Sequence, residues 1–458
     1  MAIHQIRKGL DLPISGEPRQ TIEDARSTTR VALIAHDYVG MKPRMAVKVG
    51  DAVKRGQLLF EDRKADDVRY TSPGAGTVIA INRGAKRALQ SIVIELNERE
   101  VAGQITEADR VTFEHFLGKP AHAYSREQVQ ELLFESGLWT GFRTRPFSKV
   151  PSPNTKPHAL FITAADTNPL APSVDVVVEE NKQSFCTGLE VVRRLCEGSV
   201  YLCRGQNSKV GAYEVEDIRV EEFQGAHPAG LVGTHIHFLA PVHLNRTVWH
   251  INYQDVIAIG KLFETGELDV SHVISLAGPA VKKPRLLRTR VGAFIDELVD
   301  GELKAGENRV VSGSVLAGRT AAGEVHGYLG RYHHQISCLA EDRERVFMGW
   351  LSLGAKMFSI IPTHIGRFVT KKFDFTTTTH GSKRDMVPIG LYEKVMPLDI
   401  MPTFLLRSLM SGDRERAIDL GCLELDEEDL GLCTFVDPGK NDFGQILREQ
   451  LTIIEKEG

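Results

Sequence analysis

The chain has 458 residues, enough for about three domains at roughly 150 residues each. Its 42% hydrophobic and 25% charged residues are those of an ordinary globular protein with real cores. A formal net charge of -4, with no dense Lys/Arg cluster interleaved with aromatics, excludes a nucleic-acid binder.

The opening residues MAIHQIRKGLDLP carry charges where a secretion signal needs an apolar core, so a non-secreted chain is expected. Residues 30–96 read as short strands between Gly and Pro turns. Within them Val49–Glu61 is echoed by Asn82–Glu95, and the two halves are joined through SPGAGTVIAI. Two such halves describe a barrel-sandwich (biotinyl/lipoyl-like) domain, expected with the N-terminal segment over 1–110. In that setting Lys64, in EDRKADDVRYTSPGAG, is a candidate cofactor-carrying lysine. Arg63 stands where lipoyl domains usually place an acid, and Pro73 follows nine residues after the lysine, one later than in their pattern. A one-residue shift changes which residue occupies a hairpin tip, so Lys64 reads as an ordinary surface lysine.

A capping box, Ser125-Arg-Glu-Gln128, predicts a helix with Val129, Leu132 and Leu133 on one face and Gly137 as its stop. It leads into Trp139–Lys149, which carries three cations and three aromatics. That stretch is either a surface loop or a loop for anions and planar rings, since guanidinium groups pair with anions and aromatic faces stack. Ala159–Thr163, Val174–Val178 and Val200–Cys203 read as strands around a helix over 180–197, a pattern expected of a Rossmann-like α/β domain over 111–258. A helix over Tyr253–Thr265 follows. Strands at Val273–Ala277, Leu286–Arg290 and Arg309–Ser312, with a short helix over Gly292–Val299, suit a β-grasp (SLBB-like) domain over 259–335. Helical periodicity at Phe404–Met410 and Phe443–Ile454 marks a mostly helical domain over 336–458. The predicted fold class is therefore α+β multidomain.

No catalytic signature such as GxSxG, HExxH or GxGxxG is present. Gly313–Gly318 has P-loop-like spacing without the lysine, and reads as a turn. His235 and His237 would lie on one side of a strand near His243, but with no acid or thiol at ligand spacing they read as structural. In Tyr332-His333-His334 the adjacent imidazoles should point in opposite directions. Cys186, Cys196, Cys203, Cys338, Cys422 and Cys433 form no CxxC, so reduced thiols are expected and no iron–sulfur or zinc ribbon. The acidic run Glu424–Asp429 reads as a solvated loop or helix start. The longest charge-free window, Gln224–Asn245, is broken by His, Pro and Gly and cannot span a bilayer well. Work at a membrane would require other subunits to supply the span.

Longer ordered stretches carry a resemblance: Arg7–Pro13, Ser136–Pro151, Ala226–His235, Val273–Pro279, Gly421–Leu430 and Ile453–Gly458. Along its whole length the sequence resembles the NqrA family, which supplies one subunit of the sodium-translocating NADH:quinone oxidoreductases. More distantly it is similar to the C subunit of Rnf complexes and the NADH-binding flavoprotein subunit of respiratory complex I. The resemblance implies a peripheral subunit on the cytoplasmic face of the bacterial inner membrane, in a complex that passes electrons from NADH to ubiquinone and exports Na⁺. It implies five partner subunits (B, C, D, E and F), with the membrane-embedded B component the expected direct contact. FAD, FMN, riboflavin and iron–sulfur centres are then expected in those partners and no prosthetic group in this chain. In the complex I relative, Ser-Gly-Leu opens a glycine-rich loop that approaches flavin phosphate, whereas here Ser136-Gly-Leu138 leads into Trp-Thr-Gly-Phe-Arg-Thr-Arg-Pro. Bulky side chains remove the close backbone approach, so no FMN or NADH is expected there. Some family sequences carry a cysteine where this one has Asp437, which argues against an essential thiol at that place. Any quinone contact is expected from Arg143, Arg145 and Phe147. The alternative is a flavin-binding NADH dehydrogenase subunit of an Rnf or complex I type assembly.

Overall fold

The computed structural model describes residues 2–213, 215–343, 353–361 and 363–457, so part of the unit expected over 336–458 lies outside it. The first two strands, β1 (Ala2–Gln5) and β2 (Arg19–Asp24), join sheets built mainly from later sequence. The sandwich of the first module comes from β3 (Arg30–Ile34), β4 (Pro43–Met45), β5 (Ala52–Val53), β6 (Leu58–Asp62), β7 (Ala65–Thr71), β8 (Gly76–Arg83) and β9 (Leu89–Leu96). A sheet ordered β3-β9-β8-β5 faces a smaller one ordered β4-β6-β7. The first repeated stretch gives β5 to the larger sheet and β6 to the smaller, the second gives the end of β8 and most of β9 to the larger, and the short helix α1 (Glu98–Val101) closes the module. Lys64 is exposed in the turn between β6 and β7.

Helix α2 (Arg126–Ser136) begins at the predicted capping box, with Ser125 and Gln128 bonding each other reciprocally, and ends at left-handed Gly137. The α/β sheet then adds β10 (Arg143–Arg145), β11 (Ala159–Ala164), β12 (Ser199–Gly205), β13 (Ile218–Gln224) and β14 (Val248–Asn252). Its order is β1-β13-β12-β11-β14-β10, parallel except for β10. One face is covered by α3 (Val174–Glu180), α4 (Lys182–Arg193) and α6 (Tyr253–Thr265), the other by α5 (Val232–Leu239). The expected strand at Val174–Val178 is a helix. Val174, Val177 and Val178 are its buried residues, and that spacing lays one helical stripe on the sheet and overrides the β preference of valine. Gly188 and Gly260 allow α4 and α6 to touch backbone to backbone, since a Cβ on either would collide with Val256 O or Ser184 O. Helix α6 has the predicted bounds and packs with this sheet, across the boundary drawn at 258/259.

The third sheet has β15 (Ser271–Ala277), β16 (Arg285–Arg290), β17 (Asn308–Ser312), β18 (Arg319–Thr320) and β19 (Gln335–Ala340), ordered β18-β17-β19-β15-β16-β2. Helices α7 (Ile295–Val299) and α8 (Gly323–His326) accompany it. Strand β19 lies in the middle of this sheet, past the boundary drawn at 335/336. Beyond it come the short α9 (Gly366–Val369) and α10 (Tyr392–Val395), then α11 (Pro402–Ser411), α12 (Arg414–Asp419), α13 (Gly431–Val436) and α14 (Phe443–Glu457). From α10 onward these helices share an apolar core of their own.

Buried charge fixes the modules around one centre. Glu100 of the sandwich is buried against Arg55 and accepts from Arg290 of the third sheet at 2.5 Å. Arg331 pairs with Asp255 of α6 at 2.6 Å, and its backbone N–H donates to Asp37 of the sandwich at 2.8 Å.

Candidate functional site

In the α/β sheet the chain runs β11, β12, β13 in one direction and then returns to place β14 on the other side of β11. Backbone connections therefore diverge between β11 and β14, leaving a crevice outside their carboxyl ends, where open α/β sheets bind ligands. That crevice encloses about 290 Å³, close to the lower end of ligand-sized pockets. Thr163 and Asp166 come from the end of β11, and His250 and Asn252 from β14. The other modules close it: Asp37 from the sandwich, Ser314 and Tyr332–Gln335 from the third sheet, and Asp426–Glu428 with Arg448 from the C-terminal part.

Two polar atoms on the cleft wall, His250 Nε2 and Thr163 Oγ1, are buried and unpartnered within the described residues. Leaving such groups dry and unpaired costs about 1–3 kcal/mol each, so the site suits a polar ligand or water. Burial pushes the His250 imidazole well below its ordinary range, and the nearby Arg143 and Arg145 add to this, so it is neutral. Asp166 accepts from the backbone and side-chain N–H of Asn168, both at 2.9 Å. Burial nevertheless pushes its carboxyl up to about 6.

Arg143 lines the cleft, half-buried, with its guanidinium 4.3 Å from the Tyr332 ring centroid. Arg145 is fully buried and turned into an ion cluster, 3.2 Å from Asp426 and 3.4 Å from both Glu428 and Asp429. Phe147 adopts a left-handed φ of 75° and packs against the C-terminal core, while Ser148, at φ 55°, lines the cleft. Two consecutive non-glycine residues in that region store strain of about 1–2 kcal/mol each. Arg448 of α14 donates to Phe147 O at 2.9 Å, which ties the strained turn to the C-terminal part. The segment Trp139–Lys149 is thus no surface loop. Trp139 and Phe142 are fully buried, with Trp139 edge-on to Trp249 at 5.3 Å.

The acidic run is a helix start, with Asp426 capping the 3-10 turn Glu427–Leu430, but not a solvated one. Asp426 and Asp429 are buried, and Glu427 takes a bidentate hold on Arg448 at 2.6 Å. Burial alone would raise the Asp426 carboxyl, but Arg145 and Arg448 overcome this and hold it well below the usual range. Burial pushes both Glu427 and Asp429 up to about 7, the charge of Asp426 adding to it. Asp429 also stands against Gly233 in the first turn of α5, in the space a side chain there would need.

The histidine pair is on helix α5, not a strand. Two residues apart is about 200° around a helix, so His235 and His237 face opposite ways and cannot chelate one ion. His235 donates to Ala229 O at 3.0 Å, and burial pushes it down to about 3. His237 bonds Glu424 at 2.8 Å through Nδ1 and accepts from the Asp399 backbone N–H through Nε2 at 2.9 Å. That network fixes its tautomer. His243 lies in a turn, accepting from Asn245 N–H. His333 and His334 both border the cleft: His333 bonds Ser312 Oγ at 2.8 Å, and His334 bonds Gln254 Nε2 at 2.9 Å and stacks on Tyr253. Among the described residues no group of three or more His, Cys, Asp and Glu side chains is placed to hold a metal ion. Cys422 and Cys433 are buried, and burial pushes both thiols up to about 12. Asp437 accepts from Tyr392 O–H at 2.7 Å and from Asn441, a structural anchor of the C-terminal part.

Sequence reasoning passed over Asp166, His250 and Thr163, and the link from Glu427 to Arg448. A usable signal was an aspartate two residues beyond the end of an apolar strand that opens an α/β unit.

Fold and cleft together define a multidomain α+β chain: a barrel-sandwich module, an α/β module with a switch-point crevice, and later modules that roof it. Family models match within the first three modules. Residues 4–97 match the NqrA N-terminal barrel-sandwich hybrid domain, 124–268 the NqrA second alpha/beta domain, and 273–323 the NQRA C-terminal domain. The chain is 55% identical over 453 residues, 99% of each chain, to NqrA of the Na(+)-translocating NADH-quinone reductase of Pasteurella multocida. It is 56% identical over 453 residues to that of Actinobacillus succinogenes and 54% over 455 residues to that of Glaesserella parasuis, again across 99% of each chain. The chain belongs to the NqrA family of Na(+)-translocating NADH-quinone reductase subunits. Among solved structures, an NAD+-reducing [NiFe]-hydrogenase matches at 13% identity and a TM-score of 0.36, over 57% of this chain and 64% of that one, too low a similarity to carry a functional reading. No helix among the described residues is long and apolar enough to cross a membrane.

Proposed function

We propose that this chain is the NqrA component of a sodium-translocating NADH:ubiquinone reductase, peripheral on the cytoplasmic face of the inner membrane. It works there with five partners, B to F, the membrane-embedded B component being its direct contact. The observation that carries this reading is identity of about 55% maintained from end to end against NqrA sequences. FAD, FMN, riboflavin and iron–sulfur centres then reside in the partners. A chain without its own prosthetic group is supported by Trp139 and Phe142, whose buried rings occupy the segment where a flavin-binding relative would keep glycines. We read the α/β module as Rossmann-like, the third as a β-grasp of SLBB type, and the last as a helical docking unit.

For the chain's own part, we place a quinone head group in the switch-point cleft. Thr163 Oγ1 and His250 Nε2 suit the ring carbonyls, and the Arg143 guanidinium, held over Tyr332, suits the negative charge that builds on those oxygens during reduction. Arg145 and Phe147 hold the strained turn that presents Arg143. Reduction of a quinone to a quinol takes up two protons with two electrons. Asp166 and Glu427, with carboxyls raised to about 6 and about 7, are suited to hold and release protons near neutral pH. Photo-crosslinking the intact complex with an azido-quinone tests the site. Labelling is expected on peptides containing Arg143, Asp166 or His250, and labelling confined to the membrane-embedded partners would remove the quinone role and leave docking.

A further inference from the structure

Residues 353–361 and 363–372 form a lobe closed on itself. The Ile365 N–H donates to Leu353 O at 3.1 Å, Gly366 N–H to Gly354 O at 3.2 Å, and Thr370 Oγ1 to Ala355 O at 2.8 Å. Its inner side is anchored. Phe358 packs on Phe373, Phe375 and Phe435 with ring centroids 5.6 to 6.2 Å apart, and Ile360 lies against the C-terminal core. Its outer side is also apolar and, among the described residues, uncovered: Leu353 is 73% exposed, Phe368 76% and Val369 67%, with Ile361 and Ile365 also exposed. Scattered single exposed apolar residues are normal, but five within one small closed lobe mark a surface built to be covered. Cations surround it. Lys356 and Lys371 are exposed, and among the described residues neither has a carboxylate within ion-pair distance; Lys372 pairs only with Glu17 at the rim. The only described acid within 353–372 or the next two residues is Asp374, which accepts from Ser15.

We infer that this lobe is a membrane-surface contact: Phe368, Val369 and Leu353 enter the interfacial layer of an anionic bilayer while Lys356 and Lys371 meet lipid phosphates. The pairing of apolar tip and unneutralised lysines is what selects anionic lipid over a bare apolar partner face, because each element alone binds a bilayer weakly. Such a contact does not depend on quinone binding in the cleft, and it would seat the chain on the membrane independently of its protein contacts.

The test is flotation of the purified full chain with vesicles. Vesicles of phosphatidylethanolamine with phosphatidylglycerol should carry the chain upward at low salt and release it at high salt, and pure phosphatidylcholine vesicles should carry far less. Phe368→Glu should weaken binding at least about tenfold, since burying such a ring is worth about 1.5–3 kcal/mol. The second variant, Lys356→Glu with Lys371→Glu, should do the same by charge, with circular dichroism and thermal melting unchanged because all three side chains are exposed. Equal flotation on neutral vesicles overturns the inference. So does absence of flotation on any vesicle together with retention on the membrane-embedded partners held in detergent, which would make the lobe a protein contact.

Discussion

Arg145→Met probes the cluster that joins the α/β module to the C-terminal part. Arg145 has no exposed surface, and it is the only cation within ion-pair distance of Asp429 among the described residues, whereas Asp426 keeps Arg448. Methionine fills much of the space and removes the charge, which strands Asp429 in a buried site. Breaking a buried pair from one side costs about 3–5 kcal/mol. The loss should depend on pH with a definite sign. Asp429, with its folded carboxyl raised to about 7, binds in the folded state a proton that the unfolded chain releases above about 4. Its contribution is therefore full below the unfolded value and is lost as pH rises through 7. Without Arg145 the folded value climbs further, so the variant gains stability more steeply on acidification and the gap closes. Urea unfolding followed by fluorescence is the assay, since Trp249 pairs with Thr144 next to Arg145 and Trp139 packs on it. At about pH 8 the variant should lose the full amount, and at about pH 5.5 little of it. Adding Asp429→Asn to Arg145→Met should restore much of the loss at the higher pH. A deficit that is absent, or that stays constant from pH 8 to 5.5, would refute the role given to the ion pair.

Asp166→Asn should flatten part of the wild-type pH dependence. The raised carboxyl lends stability below about 4 that disappears as pH passes 6, and thermal melting across that range shows it. Gly233→Ala should cost about 1–3 kcal/mol, because its Cβ must displace the Asp429 carboxylate; an unchanged melting temperature would contradict the packing of α5 on that acid. His237→Ala removes two hydrogen bonds between α5 and the C-terminal part and should cost about 1–3 kcal/mol in denaturant melts, with no effect on metal content. Native intact mass should equal that of the bare polypeptide, since Arg63 and the nine-residue step from Lys64 to Pro73 depart from the lipoyl pattern; a discrete added mass would restore the carrier reading.

Much of the architecture was legible along the chain. The repeat across Val49–Glu95 marks the barrel-sandwich module, Ser125–Gln128 gives the start of α2, and α6 falls on its predicted bounds. Such signals are local: a cap, a period or a turn is satisfied by residues a few positions away. The same locality explains the misreadings. Five residues rich in valine favour a strand in isolation, yet Val174–Val178 became helix because its burial partner was a sheet already formed by β11 and β12. His235 and His237 share one face of an extended segment but not of the helix they form.

The candidate site was the least legible part, because its members meet only through topology. Arg145 and Glu428 lie 283 positions apart, and nothing near either reveals the other. An acidic run looks solvated until buried arginines from a distant strand and a terminal helix neutralise it. By itself the sequence determined the barrel-sandwich and α/β modules, the family and most of the helices and strands, since these follow from local pattern and long ordered matches. Only the tertiary structure decided that β11 and β14 part to open a cleft, that Arg143 borders it while Arg145 is buried behind it, and that Glu427 and Asp429 are pushed up towards neutrality. Burial and opposing charge set those properties, and both exist only once remote segments are packed together.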